Sequence, residues 1–131
     1  IRHQRALAAA TKRWELAAEA AGLGLFEQNS ATDSVMLDAK AASLYGISDH
    51  ACLTPRSRID KLICPQDRIQ TLAAWDWAMQ TGQTIRNIHR IDHPNGSSRQ
   101  LELIGRQDVS EHQGELRMLG VVRDVTEELV S

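Results

Sequence analysis

The chain is 131 residues long, 42% hydrophobic and 24% charged, proportions that suit one globular domain with one core. Its net charge of −2, from 15 basic and 17 acidic residues, gives no general attraction to nucleic acid or to an anionic membrane. No apolar run approaches the roughly 20 residues that span a bilayer, so direct membrane insertion by a helix is not expected. Two isolated cysteines, Cys52 and Cys64, do not make a disulfide framework. Read as reduced thiols, they point to a cytoplasmic domain.

Residues 1–21 are rich in Ala, Leu, Glu, Lys and Arg, the strong helix formers. Leu7, Ala10, Trp14, Ala17 and Ala21 recur at steps of three and four, which predicts one apolar stripe on an amphipathic helix. Such a helix either lies on its own domain or pairs with a second copy of itself. Gly22 and Gly24 end it. Gly24–Gln28 and Ser34–Leu37 read as two strands joined by the turn residues Asn29–Asp33. Asp38 is placed to cap a helix running from Ala39 to Tyr45, closed by Gly46. Residues 47–64 read as short helical pieces, with Asp49 and Thr54-Pro55 as start signals.

Pro65 opens the longest internal helix, which extends to about Thr81 with Gly82 beyond it. Ile69, Leu72, Ala73 and Met79 are expected on its inner side. Trp75 and Trp77, two residues apart, point well away from each other at about 100° per residue. One is therefore assigned to the core, the other to a contact elsewhere. Three strands follow. Thr84–Asp92 turns at His93-Pro94-Asn95-Gly96, a strong hairpin signal; Ser98–Val109, broken near Gly105, turns again at Gln113-Gly114; and Leu116–Val125 closes the sheet. The expected class is α+β: a five-stranded antiparallel sheet with helices on one face, preceded by the amphipathic helix.

No catalytic signature is present, neither a glycine-rich phosphate loop nor a nucleophile elbow. His89 and His93 stand four apart, but on a strand four residues span about 13 Å, so the two cannot share a metal ion. In Ile85–Ile91, alternation places Ile85, Asn87, His89 and Ile91 on one side. The two isoleucines mark that side as the core, so Asn87 and His89 should point into the space between sheet and helices. There they either bond to backbone or a buried water, or the register is one residue off, or they line a pocket for a small ligand bearing a carboxylate or hydroxyl. Met36, Met118, Val122 and Trp75 would complete such a pocket. His89 would be its pH-sensitive group. In Gly120–Thr126 a strand hands over to a helix start. Asp124 and Thr126 can bond backbone N–H groups there, and Gly120 leaves space beside the pocket.

Several stretches in this order resemble one family. Trp14-Glu15-Leu16-Ala17 through Gly24-Leu25-Phe26-Glu27, Ala42-Ser43-Leu44-Tyr45-Gly46, Cys64-Pro65-Gln66-Asp67-Arg68, Arg90-Ile91-Asp92 through Gly96, and Gly120–Glu127 are similar to successive segments of PAS domains, in particular of the PAS fold-3 subgroup. Cys64, Gln100 and Val125 stand where that subgroup usually has histidine, tryptophan and isoleucine. The resemblance implies a bacterial sensory and dimerisation module. Residues 1–21 would be its signalling helix, 22–125 the PAS domain and 126–131 the start of an output helix.

It further implies a homodimer through the amino-terminal helix and a covalently linked effector domain. The effector would be a histidine kinase; a diguanylate cyclase or phosphodiesterase is the alternative, as is a scaffold that binds no ligand. Gly120, Asp124 and Thr126 would relay the signal. For cofactors, the family's covalent-flavin motif Asn-Cys-Arg-Phe-Leu is absent around Cys52 and Cys64, and residues 65–81 hold no histidine to ligate haem. Non-covalent flavin, stacked on Trp75 or Trp77, stays open beside no cofactor at all.

Overall fold

The computed structural model describes residue 13 and residues 15–108 and 116–130. A helix over residues 15–20 (α1) leads into strands β1 (Gly24–Asn29) and β2 (Ser34–Leu37), then helix α2 (Ala39–Tyr45). Strand β3 (Cys52–Pro55), helix α3 (Arg56–Leu62) and helix α4 (Pro65–Thr81) follow. Strands β4 (Ile85–Asp92), β5 (Ser98–Asp108) and β6 (Arg117–Asp124) complete the sheet, and α5 (Thr126–Val130) leaves it. All neighbours are antiparallel, in the order β3-β2-β1-β6-β5-β4.

The sheet thus has six strands rather than the expected five. The sixth, β3, lies in the segment read as helical; Thr54 pairs with Val35 and Leu53 with Met36. Proline at position 55 holds Thr54 in extended backbone, and an edge strand tolerates a residue without an N–H. Pro55 then serves as N-cap of α3, so the start signal is real but follows a strand. Strand β5 runs unbroken through Gly105. The turn expected at Gln113-Gly114 lies outside the described residues.

Local signals set the frame. Asp38 accepts from the N–H of Ala41 at 2.8 Å and from that of Leu25 at 3.0 Å, tying the start of α2 to β1. Gly46 and Gly82 close α2 and α4 in left-handed conformation. The core lies between the helices and the inner sheet face, where Phe26, Leu37, Leu101, Met118 and Val122 meet Tyr45 and Trp75.

Two expectations about helix faces are corrected. In α1, Ala18 is buried, whereas Ala17 and Ala21 of the expected stripe are exposed; Leu7, Ala10 and Trp14 lie outside the described residues. In α4 the buried positions are Thr71, Trp75 and Ala78, while Ile69 and Ala73 face solvent. Hydrophobic character alone misassigned this helix because apolar residues occur all around it. Among the described residues, no helix is long and apolar enough to cross a membrane.

Candidate functional site

Between α3, α4 and the inner face of the sheet lies a cavity of about 50 Å³. Its walls are largely apolar. Phe26, Val35, Leu37 and Leu103 come from the sheet, and Ile59, Leu72 and Trp75 from the helices. Polar groups enter from Tyr45, Thr71, His89, Arg56 and Asp60.

The polar side is a closed chain of hydrogen bonds. Thr71 Oγ1 donates to Asn87 Oδ1 at 3.2 Å. His89 Nδ1 lies 3.1 Å from the same oxygen, and its Nε2 lies 3.0 Å from Tyr45 Oη. Because Asn87 Oδ1 can only accept, His89 carries its proton on Nδ1 and Tyr45 donates to Nε2. Both ring nitrogens of His89 are satisfied with the imidazole neutral. Burial holds it so, lowering the pKa of His89 to about 4 against a small opposing pull from Asp67. Burial also raises the pKa of Tyr45, keeping the phenol a donor. The Tyr45 and His89 rings stack at 18° with centroids 5.9 Å apart.

On the opposite wall, Trp75 Nε1 donates to Gln28 Oε1 at 2.6 Å, and Gln28 Nε2 donates to Asp33 Oδ1 at 3.1 Å. The Arg56 guanidinium sits 5.6 Å from the centre of the Trp75 ring, within cation–π range. Arg56 also pairs with Asp60 at 3.8 Å and with Asp76 at 3.7 Å. Burial raises the pKa of Asp60, with Arg56 acting against it.

The predicted pocket residues divide. Trp75 and His89 line the cavity. Asn87 holds His89 and Thr71 without lining it. Met118 and Val122 are fully buried on the same sheet face but outside the lining. Met36 is on the other face: it is 48% exposed and pairs across the sheet with Glu27 and Leu53. Its inward neighbours Val35 and Leu37 take the place assigned to it. Beside Gly120 there is no free space, because the Phe26 ring lies there; a Cβ on Gly120 would fall 2.6 Å from Phe26 Cζ. Sequence reasoning missed Phe26, Tyr45, Thr71 and Asp60. The chain's single tyrosine, beside Leu44 at the end of a short alanine-rich helix, was the available signal for one of them.

A volume of 50 Å³ admits roughly three or four water molecules, or a compound of a few heavy atoms. Pockets for drug-sized ligands start near about 300 Å³. A flavin or a haem therefore does not fit the cavity in this closed form.

The second predicted site is the junction of β6 and α5. Asp124 Oδ1 accepts from the N–H of Thr126 at 2.9 Å and from its hydroxyl. Thr126 Oγ1 in turn accepts from the N–H of Gln100 on β5 at 2.9 Å, and Val125 N–H donates to Gln100 O. Arg123 bridges Glu102 and Glu128, each at 2.9 Å, so a side-chain ladder also joins β5 to α5. The hydrogen bond from Arg123 holds the Glu102 carboxyl below its ordinary pKa despite burial.

The fold matches known structures along nearly its full length. It superposes on a sensory box histidine kinase/response regulator from Burkholderia thailandensis with a TM-score of 0.75 and 25% identity, over 90% of this chain and 88% of that one. The chain is a PAS domain. The same architecture recurs in the N-terminal domain of a diguanylate cyclase with PAS/PAC sensor from Marinobacter aquaeolei, at TM-score 0.69 and 15% identity over 82% of this chain and 98% of that one. It recurs again in a PAS domain from Colwellia psychrerythraea, at TM-score 0.66 and 16% identity over 90% and 98% of the two chains. No family model and no curated protein matches the chain. In this PAS domain β3 supplies one sheet edge, and the cavity occupies the space between sheet and helices.

Proposed function

We propose that this PAS domain is the sensory and dimerisation module of a cytoplasmic sensor histidine kinase. In this reading residues 1–21 form the signalling helix, 22–125 sense, and 126–131 begin the output helix. A small hydroxyl-bearing molecule or a water cluster occupies the cavity, where the Arg56–Asp60 pair at 3.8 Å offers both a donor and an acceptor. Exchange of the occupant moves β5, and β5 moves α5. The observation that carries this reading is the bond from Gln100 N–H to Thr126 Oγ1. Gln100 is three residues along the same strand from Leu103 in the cavity wall. Cavity and exit helix are thus two ends of one short backbone segment.

Dimerisation through the amino-terminal helix fits the exposure of Leu16 and Ala17 on α1. The kinase effector fits the 25% identity with the Burkholderia thailandensis protein. The test is autophosphorylation of the parent protein, with native mass spectrometry for a retained small molecule. Filling the cavity by Leu72→Phe should shift the phosphorylation rate several-fold while the domain stays folded. A parent whose effector makes cyclic di-GMP instead would overturn the kinase assignment and keep the sensor. An unchanged output with a filled cavity would overturn the sensor.

A further inference from the structure

The solvent side of α4 is unusual for a surface helix. Its exposed residues are Pro65, Gln66, Ile69, Gln70, Ala73, Asp76, Trp77, Gln80 and Thr81. One charge appears in that set, where a solvated helix face is ordinarily rich in charged side chains. Ile69 is 81% exposed and Trp77 50%, and with Ala73 they form an i, i+4, i+8 stripe. Trp75 two residues away is buried, so Trp77 is not needed to complete this core.

We infer that this face of α4 is a homotypic contact, in which α4 of one copy packs antiparallel against α4 of a second copy about a two-fold axis at Ala73. The sequence is self-complementary in that arrangement. Ile69 and Trp77 lie four residues, about 6 Å, on either side of Ala73, so Ile69 of one copy stands level with Trp77 of the other. Asp76 stands level with Gln70, and Gln66 with Gln80. The lone acid therefore meets an amide rather than a like charge, and Arg56, 3.7 Å from Asp76 in its own chain, balances it further. Alanine at the axis lets the backbones approach closely, and tryptophan is the residue most often decisive at a protein contact. The contact is separate from the one assigned to the amino-terminal helix and does not depend on it.

The test uses the 131-residue chain in a Cys52→Ser, Cys64→Ser background, its fold checked by circular dichroism against the parent sequence. Helix axes about 9–10 Å apart bring the two Cα atoms of residue 73 to about 4.4–5.4 Å, at the short end of the disulfide range. An Ala73→Cys variant should therefore form a disulfide-linked dimer on mild oxidation, much faster than an Asp49→Cys control at another exposed position. Adding Trp77→Glu should suppress the crosslink. In sedimentation equilibrium Trp77→Glu alone should weaken self-association by about tenfold or more. The inference is overturned if the Ala73→Cys variant crosslinks no faster than the control, if Trp77→Glu leaves the crosslink intact, or if the chain is monomeric at all concentrations. The last outcome would assign the stripe to another domain of the parent protein. A dimer lost on removing residues 1–12, with no crosslink at residue 73, would keep the amino-terminal contact and exclude this one.

Discussion

Tyr45 Oη lies 3.0 Å from His89 Nε2, joining helix α2 to the edge strand β4 across the core. Both residues are buried, and neither ring position is free, because Asn87 holds Nδ1 from the other side. The imidazole is thus fixed in one tautomer and one orientation, with its edge on the cavity. That is a structural duty, and it leaves neither ring nitrogen to bond an occupant.

Tyr45→Phe removes one hydroxyl and leaves His89 Nε2 buried without a donor. An orphaned buried acceptor costs about 1–3 kcal/mol. Urea denaturation should show the midpoint falling by that equivalent with the slope unchanged. A loss below about 0.5 kcal/mol would mean that water from the cavity replaces the hydroxyl.

Acid should destabilise the domain through His89 before the carboxylates contribute. The folded pKa of about 4 lies below the ordinary 6.5, so the unfolded chain takes up the proton first. Stability from this group is complete above about pH 6.5 and is lost as the pH falls towards 4. The full amount is roughly 3 kcal/mol from the difference in pKa. Asp67 and Glu102, whose pKa values are lowered by Arg90 and Arg123, lose their contribution below their ordinary values of 3.8 and 4.5. A His89→Gln variant should therefore show a flatter stability profile between pH 6.5 and 5. Parallel profiles for the two proteins would contradict a neutral buried His89.

The features legible in the sequence are those fixed by near neighbours. The Asp38 cap, the Gly46 and Gly82 helix ends, the turn at His93–Gly96 and the inward set Ile85, His89 and Ile91 need only local chemistry or strict alternation. Met36 failed because Val35, Met36 and Leu37 are all apolar, so alternation carries no contrast; pairing with Glu27 decides the face. Ile69 failed because α4 has apolar residues on both sides. The cavity was half legible. His89 and Trp75 announce themselves, whereas Tyr45, Thr71 and Asp60 reach it from three different helices that only tertiary packing assembles.

Gly120 should tolerate no side chain. A Cβ there would clash with the Ile104 carbonyl oxygen and lie 2.6 Å from Phe26 Cζ. The backbone oxygen cannot move without disturbing the β5–β6 pairing, so Gly120→Ala should cost about 1–3 kcal/mol by overpacking. Combining it with Phe26→Leu should recover only the part due to the ring. Full recovery in a thermal melt would show that the carbonyl yields easily.

Thr126→Val separates the output junction from stability. Valine keeps the volume but cannot accept from Gln100 N–H, and it also removes the hydroxyl donated to Asp124. The loss should be about 1 kcal/mol, seen as a drop of a few degrees in Tm. On a balanced two-state output the same 1 kcal/mol is roughly a fivefold change in population. Thr126→Ser, which retains the oxygen, should restore most of the parent's activity, and Asp124→Ala should act in the same direction as Thr126→Val. Phosphorylation of the parent protein that follows Tm across all three variants, with no excess effect at position 126, would show that this junction supports the fold and transmits nothing.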